Sequence, residues 1–531
     1  MAAPRTEFEF SFGPRSQSTP APAPIDPGAP FRILVIGDFS GRASRGVLEA
    51  DLAQRPILRA DIDTLDTLFT ALGAAVRIAT PAAPAPLEIA LTCFDDLHPD
   101  ALLRNVPELA TLLSLRRRLA DPATAAEASA EARALLGLPP AAASGGGSTP
   151  APDAPQQAAE ASAPSLLESL LGGRPTGPAT AQPAQQAPTA NPIADLVRRL
   201  ATAASQGHTP AAADPHATTI LNGLDDLLAS HLRTLLHNPA FQRTEASWRA
   251  LHFLITSIDT DETLTVYILD ASKAEIVADM LAAHRAGSPA SSSLAKVIAD
   301  RAAVPGADPW SLIIADLTLD FTTPDAALAA HLAACAARAG CPVIAAASPA
   351  LAGCPSFAIA PDPDSWALHP SPDDAAAPAA WAAVREAPES RYLCLTLPRF
   401  LLRPPYGPAS NPCESFPFSE VASPADHESL LWGNAAYAAA VLIATAYAED
   451  GAEMTCPEAG DLSGLPVHTF VQHGHAHAVP AAEAWLTLKA AHALQNAGLS
   501  PLLSIKNRDA ARFPAIQSFA NPPTPLAGRW S

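Results

Sequence analysis

The sequence predicts an α/β protein in which two α/β parts are joined by a disordered, Ala/Pro-rich tether. Three observations lead there. Apolar runs of strand length alternate with stretches of helical apolar spacing over 30–138, and the same alternation returns over 216–531. Between them, residues 139–215 are rich in Ala, Pro, Gly, Ser and Gln, a composition that forms no packed core. The 56 prolines crowd positions 14–30, 139–215 and 349–388, which marks linkers and loops.

The first 29 residues read as a flexible segment, although EFEFSF at 7–12 alternates like a short strand. FRILVIGDFSGR at 31–42 is a buried strand running into a polar turn. DIDTLDTLFTALG at 61–73 has helical apolar spacing, and LEIALTCF at 87–94 reads as a strand. DALLRNVPELATLLSLRRRLAD at 100–121 is helical and broken near Pro107. Asp95 or Asp96 is expected to cap a helix that opens near Pro99. ATAAEASAEARALLGL continues as helix. Two amphipathic islands, SLLESLLGG at 165–173 and PIADLVRRLATAA at 192–204, interrupt the tether. They are either recognition helices or mere helix-prone scraps.

The second part opens with an amphipathic helix, LNGLDDLLASHLRTLLH. TLTVYILDAS at 263–272 is a strand and turn, and KAEIVADMLAAHR a helix. WSLIIADL at 310–317 is a buried strand, AALAAHLAACAARAG a helix stopped by Gly340, and PVIAAAS at 342–348 the next strand. This order implies some parallel pairing. Trp248 and Trp432 lie in stretches with helical apolar spacing, so both are expected in buried helices.

Composition narrows the function. Basic residues number 33 against 53 acidic, a net charge of −20, which argues against a nucleic-acid partner. Seven cysteines without a CxxC spacing fit a reduced, cytoplasmic compartment. The N-terminus lacks a continuous apolar region of signal-peptide type, and no stretch reads as a membrane span.

No set of residues carries recognisable chemistry. His468, His473, His475 and His477 cluster in HTFVQHGHAHA, but no Asp, Glu or Cys supports them at ligand spacing, so metal binding is not expected there. Ser293 and Lys296 match Ser-x-x-Lys without its partner motifs. GDFSGR lacks the Gly spacing and Lys of a phosphate loop. No catalytic residue, cofactor or metal site is expected.

Two blocks of sequence carry a family resemblance. RYLCLTLPRFLLRPPYGPASNPCESFPFSE at 391–420 with LLWGNAAYAAA, and ILNGLDDLLASHLRTLLHNPAFQRTEASWRALHFLI at 220–255, resemble the large subunit of the bacterial type VI secretion contractile sheath. SLIIADLTLDF and CPVIAAASPALAG follow that family's order, so the likeness runs over about 220–520. GDFSGR and LEIALTCFDDLHPDALLRNVPELATLLSLRRRLAD, within about 30–120, resemble the small sheath subunit. The chain therefore looks like a natural fusion of the two. A tether of about 75 residues spans roughly 45–50 Å as a coil, enough to reach between docked halves.

The resemblance implies a structural protein that assembles into a helical filament around an inner tube, without enzymatic activity. Its implied partners are other sheath subunits, the inner-tube protein, baseplate components and a sheath-recycling ATPase of the unfoldase class. Leu166, Leu167, Glu168, Leu170 and Leu171 lie where the large subunit carries the handle for that ATPase. Arg399 and Arg403 read either as solvated flanks of a core strand or as residues near subunit contacts. The family continues beyond the stretch matched by ARFPAIQSF at 511–519, whereas this sequence stops at LAGRWS. A cap, assembly factor or regulator of the sheath that does not polymerise is the alternative.

Overall fold

The computed structural model describes residues 29–49, 51–79, 86–138, 215–288, 291–300, 309–367, 374–408, 410–421, 427–472, 475–506 and 508–530. EFEFSF, both amphipathic islands and His473 lie outside the described residues.

A seven-stranded sheet organises the larger unit, which comprises the residues up to 114 and those from 225 onward. Its strands are β1 (Phe31–Gly37), β2 (Ile57–Ala60), β3 (Leu264–Asp270), β4 (Leu312–Leu319), β5 (Val343–Ala347), β6 (Leu393–Leu397) and β7 (Ser500–Pro501). The spatial order is β7-β6-β5-β4-β1-β3-β2. All neighbours run parallel except β2, which is antiparallel to β3.

β1 is thus a central strand. Phe31 to Gly37 pair with Leu264 to Asp270 on one side, and Ile33 to Ile36 with Leu312 to Ala315 on the other. The two sequence parts share one sheet. The reason is legible in FRILVIG: a near-continuous apolar run suits a strand covered on both faces. Ile33 and Val35 enter one core, Leu34 and Ile36 the opposite one.

Four helices supply most of that cover: α1 (Pro239–Ser257), α2 (Lys273–Arg285), α3 (Thr323–Ala339) and α4 (Ala435–Asp450). α1 and α4 pack on the face of Ile33 through Leu251, Leu254, Ala436 and Ala439. α2 and α3 pack on the face of Leu34 through Ile276, Met280, Leu328 and Leu332. α4 is buried almost all round, and its alanines at 435, 436, 438, 439, 440 and 444 are at most 1% exposed. Small side chains let its backbone approach the sheet closely, so alanine here builds core. α3 ends where expected, with Gly340 in the left-handed conformation at φ 66°.

Several local expectations shift. The strand at Leu87–Ala90 stops short of Phe94, which opens a 3₁₀ turn, Phe94–Leu97. The helix at Pro99–Asn105 is capped by His98, whose ring nitrogen accepts from the Asp100 amide. Neither Asp95 nor Asp96 caps it. The Asp96 carboxylate instead accepts from the Thr92 and Cys93 amides and so holds the preceding turn. The break at Pro107 is present, with a second helix over Pro107–Ala120. Trp432 is buried, but on a two-residue strand, Trp432–Gly433, paired with Phe400–Leu401. Helix α4 begins only after the Asn434 cap, because the Asn434 side chain takes the Ala436 amide.

The described residues of the smaller unit, Leu115–Leu224, are mainly helical. Leu115, Leu119, Ala128, Ala132, Ile220 and Leu224 form its core. At its surface Arg118 pairs with Glu131 at 2.8 Å.

Candidate functional site: the joint between the two sequence blocks

The turn after β1 is where the N-terminal block is locked to the rest of its unit. Gly37 ends the strand against Asp316, and a Cβ there would lie 3.0 Å from the Asp316 Cβ. Asp270, at the end of β3, receives the turn: its Oδ1 accepts from the Phe39 and Ser40 amides at 2.9 and 3.0 Å, and its Oδ2 from Ser40 Oγ at 2.7 Å. Asp38 folds back onto the Arg42 and Ala43 amides. Gly41 sits at φ 71°, and a Cβ there would come 2.1 Å from the Ala75 carbonyl oxygen. Only glycine fits both the conformation and the space.

Glu275, in the first turn of α2, is the charge at the centre of this joint. Its side chain is fully buried. Arg42 Nε lies 2.9 Å from Oε2, and Arg55 Nη2 lies 2.6 Å from Oε1. The Glu49 amide donates to the same Oε1. The carboxylate also closes a capping box with Ser272. Burial alone would raise the Glu275 carboxyl, but the Arg55 and Arg42 hydrogen bonds and the backbone donors outweigh it and bring it to about 2. Asp270 and Asp38 go the other way, raised because burial outweighs their hydrogen bonds.

Aromatic packing backs the turn. Trp248 on α1 donates its indole N–H to the Phe39 carbonyl at 2.8 Å and stacks on Phe69 with ring centroids 3.6 Å apart. A second clasp lies at Asp100. It accepts from the Glu414 and Ser415 amides and from Cys413 Sγ. Burial opposes its ionisation, yet these donors hold it at about 2. Beside it the Tyr406 hydroxyl donates to the Leu97 carbonyl.

Residues 218–520 match the family described as EvpB/VC_A0108, tail sheath N-terminal domain. The chain belongs to the tail sheath family. Residues 27–137 match a second family, described as type VI secretion system, VipA, VC_A0107 or Hcp2. The type VI secretion system sheath protein TssC1 of Pseudomonas aeruginosa is 32% identical over 309 residues, which cover 57% of this chain and 61% of that relative. The chain thus spans about three-fifths of the relative's length.

The small-plus-large sheath fusion read from the sequence therefore holds. The joint is the meeting of its two blocks. Arg42, Arg55, Phe39, Phe69 and Asp100 come from the VipA-type block, and Asp270, Glu275, Trp248 and Ser415 from the tail-sheath block.

Of the candidate site residues named from the sequence, Arg399 and Arg403 lie outside the joint. Arg403 is buried and pairs inside the tail-sheath block, with Glu245 at 2.7 Å and Glu420 at 2.6 Å. Its guanidinium lies over the Tyr406 ring at 4.0 Å. Packed this way, Arg403 is buried within the tail-sheath block. Arg399 is half-exposed and pairs with Glu483 and Glu428.

The histidine-rich segment is a two-stranded hairpin, His468–Gln472 with His475–Val479. His475 and His477 are exposed, and Phe470 stacks against both His468 and His477. Ser293 donates its amide to Asp279 and has its hydroxyl 3.4 Å from Asp51. Leu166, Leu167, Glu168, Leu170 and Leu171 lie outside the described residues. No described helix is long and apolar enough to cross a membrane.

Truncating Trp248 tests the aromatic backing. Trp248→Ala removes a fully buried ring and leaves the Phe39 carbonyl without its donor. We expect a loss of about 3–5 kcal/mol, read from denaturant unfolding. A wild-type midpoint would contradict the packing described.

Proposed function

We propose that the chain is a structural component of a type VI secretion contractile sheath, building a helical tube whose contraction propels an inner tube. The observation that carries this is β1. A strand of the VipA-type block lies inside a sheet otherwise built mainly from the tail-sheath block. Fusion then fixes the ratio of the two blocks and raises their effective concentration. Identical subunits joined by heterologous, non-closing contacts give helical filaments. In this reading the chain has no catalysis of its own, works in the bacterial cytoplasm, and meets other copies of itself, an inner-tube protein and baseplate components. Arg399 and Arg403 are the candidates for subunit contacts, Arg399 being the more exposed of the two.

Electron microscopy of the purified chain tests the proposal. Tubes formed by the chain alone are expected. A chain that stays monomeric, or that decorates only the ends of filaments made by other sheath subunits, would replace it with the role of cap, assembly factor or regulator.

The leucine-rich island extends the reading to recycling. Leu166, Leu167, Leu170 and Leu171 repeat at helical spacing, with Glu168 between them. A short amphipathic helix of this kind lays its leucines in a groove, here that of the recycling ATPase. A 155–205 peptide should bind the ATPase N-terminal domain, and the Leu167→Asp, Leu171→Asp peptide should not. Equal binding by both peptides, or none by either, would remove recycling from the proposal.

A further inference from the structure

Outside the joint, one cluster among the described residues combines donors of metal-ligand type. His427 and Glu428 come from a 3₁₀ turn, His427–Ser429, and Glu483 from the segment beside Arg399. One donor atom from each of the three lies within 4.8 Å of the others. His427 Nε2 is 3.1 Å from Glu483 Oε1. Two ligands on one tetrahedral Zn²⁺ with bonds of about 2.0–2.1 Å stand roughly 3.3 Å apart. One imidazole and two carboxylates form a donor set suited to that ion.

The surroundings fix this set. The His427 ring stacks on Trp432 with centroids 4.9 Å apart, and the Trp432 indole N–H donates to the His427 carbonyl at 2.9 Å. Glu483 is buried, and its second oxygen takes the Arg399 amide. The cation between the carboxylates is at present the Arg399 guanidinium, 2.5 Å from Glu483 and 3.5 Å from Glu428. Arg399 and Glu428 both line a cavity of about 630 Å³, which leaves the displaced guanidinium somewhere to go.

The geometry points to a Zn²⁺ site made by His427, Glu428 and Glu483, in which the ion and the Arg399 guanidinium exchange for one position. The site differs from the histidine hairpin and asks nothing of it. Three protein ligands leave a fourth position for water.

Equilibrium dialysis of the chelator-treated full chain against Zn²⁺, with elemental analysis, reads the stoichiometry; calorimetry reads the affinity. One ion per chain is expected. His427→Ala and Glu428→Gln should each weaken binding about tenfold or more, a loss at least as large as outer-shell changes produce. Glu428 is exposed, so its replacement leaves the fold in place. Arg399→Ala should tighten binding, because it removes the competing cation; a merely structural cluster would not respond that way. The paired hairpin variant, His475→Ala with His477→Ala, should bind like the wild type. Loss of the ion in the hairpin variant but not in His427→Ala would overturn the assignment. So would failure of both the wild type and Arg399→Ala to bind.

Discussion

Residues 1–138 and 210–531, produced as two separate chains in one cell, should co-purify as a stoichiometric pair, whereas 210–531 produced alone should be insoluble or expanded. Without β1, the facing edges of β3 and β4 lose their partner, and Leu264, Val266, Ile268, Leu312 and Ile314 lose the neighbours that cover them. Unpaired apolar edges aggregate. Two soluble, folded and mutually indifferent fragments would contradict the shared sheet. Size-exclusion chromatography with amide exchange on β3 and β4 decides between these outcomes.

Glu275→Gln should cost about 3–5 kcal/mol, the usual loss when one partner of a buried ion pair is removed. It leaves the Arg42 and Arg55 guanidinium groups, 14% and 9% exposed, facing a neutral amide. The pH dependence has a definite sign. Glu275 goes from the ordinary 4.5 of a free carboxyl to about 2 in the fold. Its contribution is therefore complete above about 4.5 and is lost as pH falls towards 2. The stability gap between wild type and Glu275→Gln should be full at neutral pH and shrink through that window. Urea unfolding of both proteins across the window measures it. A gap unchanged at the acid end would show that the ion pairs are not its source.

Much of the fold was readable because each strand of the sheet's centre is a short apolar run and each covering helix has an apolar stripe. FRILVIG and KAEIVADMLAAHR became elements with almost the bounds expected. The joint was not readable in the same way. Ser272-x-x-Glu275 is a legible capping box, yet nothing near it announces that two arginines more than two hundred residues upstream end on the same carboxylate. Such a pairing depends on which strands lie side by side, and periodicity carries no information about that. The partners of Arg403 were hidden for a related reason. In an acidic chain a basic residue reads as surface, and only the fold shows Glu245 and Glu420 enclosing it. Trp432 misled through the alanines after it. Helical spacing extended backward past Asn434, whose side chain in fact starts the helix.

The central place of β1 bears on how the protein is made. Phe39 and Asp270, which join the turn to β3, are separated by 231 residues of chain. At about 5–20 residues per second on the ribosome, β1 waits roughly 10–50 s before β3 has been synthesised. Throughout that interval FRILVIG is an apolar segment whose two neighbouring strands do not yet exist. Vectorial synthesis thus sets a period of exposure that the native contacts do not record. The proline-rich stretch 139–215, translated in the meantime, carries only five acidic and three basic residues, so it adds length to the wait but little charge.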